Sequence, residues 1–344
     1  MTAVHIRTYL RGDADIGHRV STAGTAGTAG TAGTAGTAAR RALKAAQSVW
    51  SNKLIYLMMA PGLIWAFLFC YKPIYGVVIA FKNYKPSLGI LGSPWVGLAH
   101  FKELFRKDFW RIMRNTLLIS GGTFVVGFPM PIMFAILITG VKNKAYRRVA
   151  QTLSYVPYFV SWVVVSAMCF IFFAPATGVL NVFLRSAGLV NANVGFLDNG
   201  PMFIVMLVIA NVWKGTGFSA IIYFAAIAGL DRELYEAAVI DGASQWQRTR
   251  YITIPGIMPT ASVLLVLSLS GILNAGFEQQ MVMANGLVWN WADVIDTYAY
   301  RFGLTQLRYS YGAAVGLFKS AVHLVMLFMA NAFIKRRTGY SLYR

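Results

Sequence analysis

Runs of about 20 apolar residues recur along this chain, and a run of that length is what crosses a hydrocarbon core roughly 30 Å thick. Six spanning candidates follow, at residues 54–80, 116–140, 152–174, 202–227, 258–275 and 311–334. In hydrocarbon no water satisfies backbone N–H and C=O groups, so runs of this length close their hydrogen bonds as helices. The expected fold class is an all-α polytopic membrane protein. Composition agrees: only 12% of the 344 residues are charged, about half of the roughly 25% usual in soluble domains. Pro61, Pro73, Pro129, Pro131 and Pro157 fall within the runs and are read as kinks that neighbouring helices can accommodate.

The chain carries 31 Lys and Arg against 12 Asp and Glu, a net charge of +19. In a soluble protein that excess would suggest nucleic acid; in a polytopic membrane protein it reflects loops retained on the cytoplasmic side. With both termini inside, fifteen basic residues from Arg40 onward fall on inner segments and ten on outer ones. Seven of those ten lie in 82–114. There Leu98 to Met113 places Phe101, Leu104, Phe105, Phe109, Ile112 and Met113 at helical spacing between basic residues, the pattern of a helix lying in the membrane interface. A basic surface loop is the alternative.

Residues 1–50 form a lead-in, within which 22–36 are five Thr-Ala-Gly units, too poor in large apolar residues to build a core. No apolar segment of signal-peptide length precedes residue 50. Residues 51–114 hold the first span and the amphipathic segment, 115–334 the remaining transmembrane core, and 335–344 a basic tail. Cys70 and Cys169 both lie inside apolar runs, which reads as packing rather than a disulfide or metal framework.

The sequence has no G-x-x-x-x-G-K-[ST] phosphate loop, no metal-spaced His and Glu cluster and no G-x-S-x-G elbow. No catalytic residue or metal site is therefore expected in this chain, and energy for any transport must come from a separate subunit. The informative segment is polar and lies between the fourth and fifth spans, at 231–259. Asp231 with Glu233 and Glu236 reads as a helix start, with negative charge at the positive end of the helix dipole. Gly242 can adopt the positive φ that ends one short helix. A second is expected over Ser244 to Tyr251, before Pro255 turns the path back toward the membrane.

Within this elbow, Glu236-Ala237-Ala238, Gly242 after three residues, and Ile252-Thr253-Ile254-Pro255 after nine more resemble the EAA loop of permeases from binding-protein-dependent ATP-binding-cassette importers. Ile254 stands where that family usually has Leu. Trp213-Lys214-Gly215-Thr216-Gly217, Asp293 to Tyr298 and Tyr309 to Lys319 resemble its sugar and oligosaccharide branch, the maltose-permease-like and polysaccharide-type subunits. The resemblance covers roughly residues 50–344.

It implies a type I importer fold with six helices and a cytoplasmic two-helix coupling elbow. It also implies a second related permease, an ATPase dimer binding ATP and Mg, an extracytoplasmic solute-binding protein, and a place in a bacterial cytoplasmic membrane. Glu236, Ala237, Ala238, Asp241, Gly242 and Pro255 would be the ATPase-coupling residues.

Polar groups inside spans are the handle on a substrate path, since they are costly unless they face protein or a water-filled cavity. Asn211, Trp213, Lys214, Asn274 and Glu278 are the candidates, with Gln279, His323, Lys72 and Lys319 beside them. Lys72 and Lys319 are also compatible with snorkelling to an interface, and for Lys214 a structural or gating role competes with substrate contact. If several of these cations lined the cavity, an acidic, uronide-type oligosaccharide would suit them. Most Trp and Tyr residues read as interface anchors, while Trp289, Trp291, Tyr298 and Tyr300 could meet a binding protein or gate the cavity. An ion-coupled secondary sugar carrier is the competing class, yet it would call for acidic residues inside the spans.

Overall fold

The structure is a computed structural model describing residues 52–106 and 108–339. The tail of residues 1–50, with its Thr-Ala-Gly units, and the last five residues lie outside the described residues. The chain divides between Lys72 and Pro73 into two compact units. In the first, α1 (Lys53–Ala66) passes into a π-helical turn, Phe67–Tyr71. None of its residues is buried, as expected of an apolar helix built to meet lipid or another subunit.

The second unit continues helically to Phe81 and then builds α2 (Ala99–Arg106), α3 (Phe109–Gly127) and α4 (Pro129–Thr139). Helices α3 and α4 together form one apolar stretch of 31 residues, since Pro129 sits in the first turn of α4, where its missing N–H costs nothing. The second span therefore begins at Phe109, several residues before position 116. That changes the reading of the amphipathic segment. Leu104, Phe109 and Ile112 are buried in one cluster with Ile295, Tyr298, Tyr311 and Val315, and Phe109 meets Phe318 edge to face at 5.6 Å. The apolar stripe packs against protein, because helical periodicity records which face is buried and not what buries it.

The third run is not one straight span. Helices α5 (Lys144–Phe159) and α6 (Trp162–Phe173) meet at 100°. Pro157 sits in the last turn of α5, Val160 turns extended, and the Ser161 hydroxyl accepts from the Val164 N–H to start α6. A Pro followed by a capping Ser makes a stop and a new start, not a kink.

Helix α7 (Gly200–Ala228) is the axis of this unit, with Phe203, Met206, Leu207 and Ala210 buried against Ile119, Val165, Met283 and Val294. Beyond α7 lie α8 (Arg232–Ile240), α9 (Gln245–Arg248), α10 (Ile254–Ser270), α11 (Glu278–Met283), α12 (Ile295–Tyr300) and α13 (Tyr309–Thr338). Among the described residues five helical stretches are long and apolar enough to span, six if the bent pair counts as one. Lys335 to Arg337 belong to the last turn of α13, ahead of Gly339 at φ +76°, where basic side chains offset the negative end of the dipole.

Candidate functional site

The elbow between α7 and α10 is built from local signals. The Asp231 carboxylate accepts from the Glu233 N–H at 2.9 Å and opens α8. Gly242, at φ +75°, closes it: the Ala243 N–H donates to the Ala238 carbonyl and the Gly242 N–H to that of Val239, the paired bonds of a Schellman stop. Ser244 and Gln247 form a reciprocal capping box on α9. The second helix of the elbow does not end at Tyr251. A π-turn, Thr249–Thr253, carries α9 directly into α10, with Pro255 tolerated in the first turn of α10. One short helix and one long one therefore meet at Gly242.

What the elbow exposes is unusual for a polar segment. Ile240 is 86% exposed, Trp246 71% and Tyr251 74%, and Glu236, Ala237, Asp241 and Pro255 are exposed beside them while Ala238 is half-buried. The segment is nevertheless fixed to the spans. The hydroxyls of Tyr235 and Thr253 lie 2.8 Å apart, joining α8 to the entry of α10. Leu230 packs on a core of Ala135, Tyr223, Ile227 and Ile257. A recess of about 450 Å³ opens between Arg232, Tyr235, Glu236 and Arg248.

The residues expected on a substrate path separate. Asn211 donates to the Leu207 carbonyl one turn back on α7. Trp213 is 45% exposed and lines an apolar recess of about 990 Å³ with Leu153, Pro157 and Val125. Asn274 and Glu278 are exposed beyond the end of α10, on a different element. Gln279 beside them is buried and donates to the Ala275 carbonyl.

Lys214 points into the bend of the third run. Its ammonium donates to the carbonyls of Pro157, Tyr158 and Val160 at 3.3, 2.5 and 2.6 Å. A lysine at the middle of a span costs roughly 2.5–3.5 kcal/mol unless polar groups receive its charge. Here the ammonium is received by the Tyr158 and Val160 carbonyls and by that of Pro157, which also accepts the Val160 N–H, and the negative dipole end of α5 supplies the counter-charge. Lys319 does not snorkel: it pairs with Asp296 at 2.5 Å, with its side chain only 17% exposed.

The family described as the binding-protein-dependent transport system inner membrane component matches residues 127–339, including the elbow and the last four apolar runs. The chain belongs to this family. The permease is 44% identical over 286 residues to protein LplB of Bacillus subtilis (strain 168), covering 83% of this chain and 89% of that protein. The polygalacturonan/rhamnogalacturonan transport system permease protein YteP of the same organism is 40% identical, covering 83% and 88%. The crystal structure of a bacterial ABC transporter involved in the import of the acidic polysaccharide alginate contains a chain 40% identical. It superposes with a TM-score of 0.78, over 86% of this permease and 99% of that chain. A second structure holds that transporter in complex with an alginate pentasaccharide-bound periplasmic protein, at 39% identity.

Sequence reasoning missed the most buried charge among the described residues. Asp293 is fully buried and its carboxylate accepts from Arg301 at 2.7 Å, Arg111 at 3.3 Å and the Thr297 hydroxyl at 2.8 Å. Asn115 donates to the Asn290 and Asp293 carbonyls, and Thr116 accepts the Ile295 N–H. Trp291 lies under the Arg114 guanidinium at 4.1 Å, and Tyr298 is buried with its hydroxyl 2.7 Å from that of Tyr311. Trp291 and Tyr298 therefore serve internal packing. The available signal was an Asp in an apolar stretch, flanked at i+4 by Thr and at i+8 by Arg.

Proposed function

We propose that this permease forms half of the translocation path of an ATP-driven oligosaccharide importer, and that its elbow docks into a separate ATP-binding-cassette ATPase dimer. The single observation that carries the docking is the elbow itself: Ile240, Trp246 and Tyr251 face outward from a segment otherwise rich in charge. A large apolar surface ringed by polar residues marks a contact with another protein. The anchoring through Tyr235 and Leu230 makes the elbow a rigid lever, so closure of an ATPase dimer on Glu236, Ala237, Ala238, Asp241 and Gly242 would swing α7 and α10 together. That is rigid-body alternating access.

ATP and Mg would be held by the partner ATPase. The remaining partners would be a second related permease completing the path and a solute-binding protein delivering the sugar from outside. The permease would then sit in a bacterial cytoplasmic membrane with both termini and the elbow inside. The proposed substrate class is an acidic, uronide-type oligosaccharide. Support for it comes from the relatives, one named for polygalacturonan and rhamnogalacturonan and one for alginate, and not from Lys214 or Lys319, whose charges are engaged within the protein. Asn211, Trp213, Asn274 and Glu278 stay as proposed path residues.

The test is ATP hydrolysis in proteoliposomes holding this permease with its partner subunits and binding protein, titrated with neutral and acidic oligosaccharides. Stimulation by an acidic chain is the expected result. Uptake driven by an ion gradient, with no ATPase co-purifying, would overturn the proposal.

A further inference from the structure

We propose that Lys214 is a positioning residue for transport: its ammonium locks the bend between α5 and α6 onto α7, so that the bend moves with the elbow. The inference rests on the functional reading above, since it needs an elbow that is driven.

The three N–H donors of a lysine ammonium are matched by three carbonyls, those of Pro157, Tyr158 and Val160. None is left over for a sugar hydroxyl or carboxylate. The ammonium also lies 5.4 Å from the Tyr158 ring and 5.7 Å from the Trp162 ring, one on each side of the break. A single side chain of α7 thus touches the end of α5 and the start of α6, at the place where the regular helical ladder stops and only the Val160 N–H to Pro157 carbonyl bond bridges the end of α5.

The neighbouring contacts make the attachment stiff. One turn along α7 from Lys214, a Cβ on Gly217 would fall 1.9 Å from the Ser154 carbonyl oxygen, so the two backbones touch there. Phe218 stacks on Tyr158 at 3.9 Å with planes 5° apart. From this clamp the same helix runs on to Ile227, which is packed with Ile257 and Leu230 at the base of the elbow. The distance from Lys214 to Ala228 is about 21 Å of continuous helix. A rigid helix that joins the elbow at one end and grips the bend at its midpoint is a physical form that coupling between distant sites can take.

The experiment uses the full complex in proteoliposomes with binding protein and a galacturonate oligosaccharide, or whichever sugar stimulates the parent. Lys214→Met should assemble with its partners and keep basal ATP hydrolysis. Its maximal uptake should fall at least tenfold, while the half-saturating concentration of loaded binding protein stays within twofold. Lys214→Arg should keep a third or more of parental uptake, because the guanidinium still offers donors to the same carbonyls. A raised half-saturating concentration with maximal rate preserved would make Lys214 a substrate contact and overturn the proposal, as would parental behaviour of Lys214→Met.

A second arm covers failure of Lys214→Met to assemble. Lys214→Cys, in a Cys70→Ala, Cys169→Ala background, is assembled and treated with an aminoethyl or a methyl methanethiosulfonate. Uptake restored by the aminoethyl adduct alone supports the proposal; restoration by both or by neither overturns it. Loss of assembly in every uncharged variant, with Lys214→Arg assembling normally, would make the lysine a folding residue and overturn it too. A parent complex with no sugar-stimulated hydrolysis fails the functional reading, whereas a stimulated parent with an indifferent Lys214 fails this inference alone.

Discussion

The two ends of α7 use side chains in opposite ways. At its Ala228 end the elbow is polar in composition and leaves Ile240, Trp246 and Tyr251 in the open. At its Gly200 end, about 42 Å away along the helix, Trp291 packs against the backbone of Gly200, and beside it the buried Asp293 carboxylate draws in the half-buried Arg111 and Arg301. Exposed apolar groups with no internal use stabilise nothing until a partner covers them. A buried carboxylate whose counter-charges come from the same chain ties those parts of the chain together, since removing one partner leaves the other uncompensated. One end is thus fitted for association and the other for self-support, and substitutions at the two should fail in different ways.

The largest effect is expected where charge is buried. Asp293→Ala leaves Arg301 and Arg111 without their shared carboxylate, Arg111 keeping Asp108 at 3.4 Å, and because both guanidiniums are partly exposed the loss should sit at or below the low end of the roughly 3–5 kcal/mol for breaking a buried pair. Thermal unfolding of the detergent-solubilised permease should show it before any transport assay does, and an unchanged melting point would erase the contrast between the two ends. Next comes Ala237→Asp in the elbow, which sets an unpaired charge against the ATPase. Sugar-stimulated ATP hydrolysis should drop by tenfold or more, about 1.4 kcal/mol or above. Stability should move by no more than about 0.5 kcal/mol, as for other exposed substitutions. Survival of docking and transport together would show that the elbow is not the coupling surface.

The same contrast explains what could be read in advance. The elbow was legible because its determinants are local: an Asp cap, a glycine at positive φ and a capping Ser, all within 14 residues. The apolar runs were legible because lipid imposes length and composition. The bend at Val160 was not, since the carbonyls on both sides of it meet a lysine 54 to 57 residues away. Asp293 was hidden for the same reason, with Arg111 182 residues distant. The stripe from Leu104 to Ile112 was read with the right face and the wrong neighbour: its burial is set by Tyr311 and Val315, which only the tertiary fold brings there.

Smaller effects separate the elbow's shape from its surface. Gly242→Ala keeps the open space around the residue but forces an L side chain into the left-handed region, a cost of roughly 1–2 kcal/mol. It should loosen the end of α8 and lower stimulated hydrolysis several-fold, measured beside basal hydrolysis as the control.

The smallest change is the sharpest probe of the lever. Tyr235→Phe removes only the hydroxyl that meets Thr253 at 2.8 Å, worth about 1 kcal/mol, and leaves every exposed apolar group of the elbow in place. Docking of the ATPase should therefore be unchanged in a co-purification assay, while stimulated hydrolysis falls by a factor of about 5 at most. Thr253→Val should produce at least that loss, since its hydroxyl also meets the Arg248 carbonyl at 3.5 Å, and the double variant no more than Thr253→Val alone, because the bond to Tyr235 is shared. Additive losses would mean that each hydroxyl acts separately and that the junction of α8 with α10 is not held by this bond. The elbow would then be stiffened by Leu230 and the apolar core beneath it, moving the hinge from the polar junction to the end of α7.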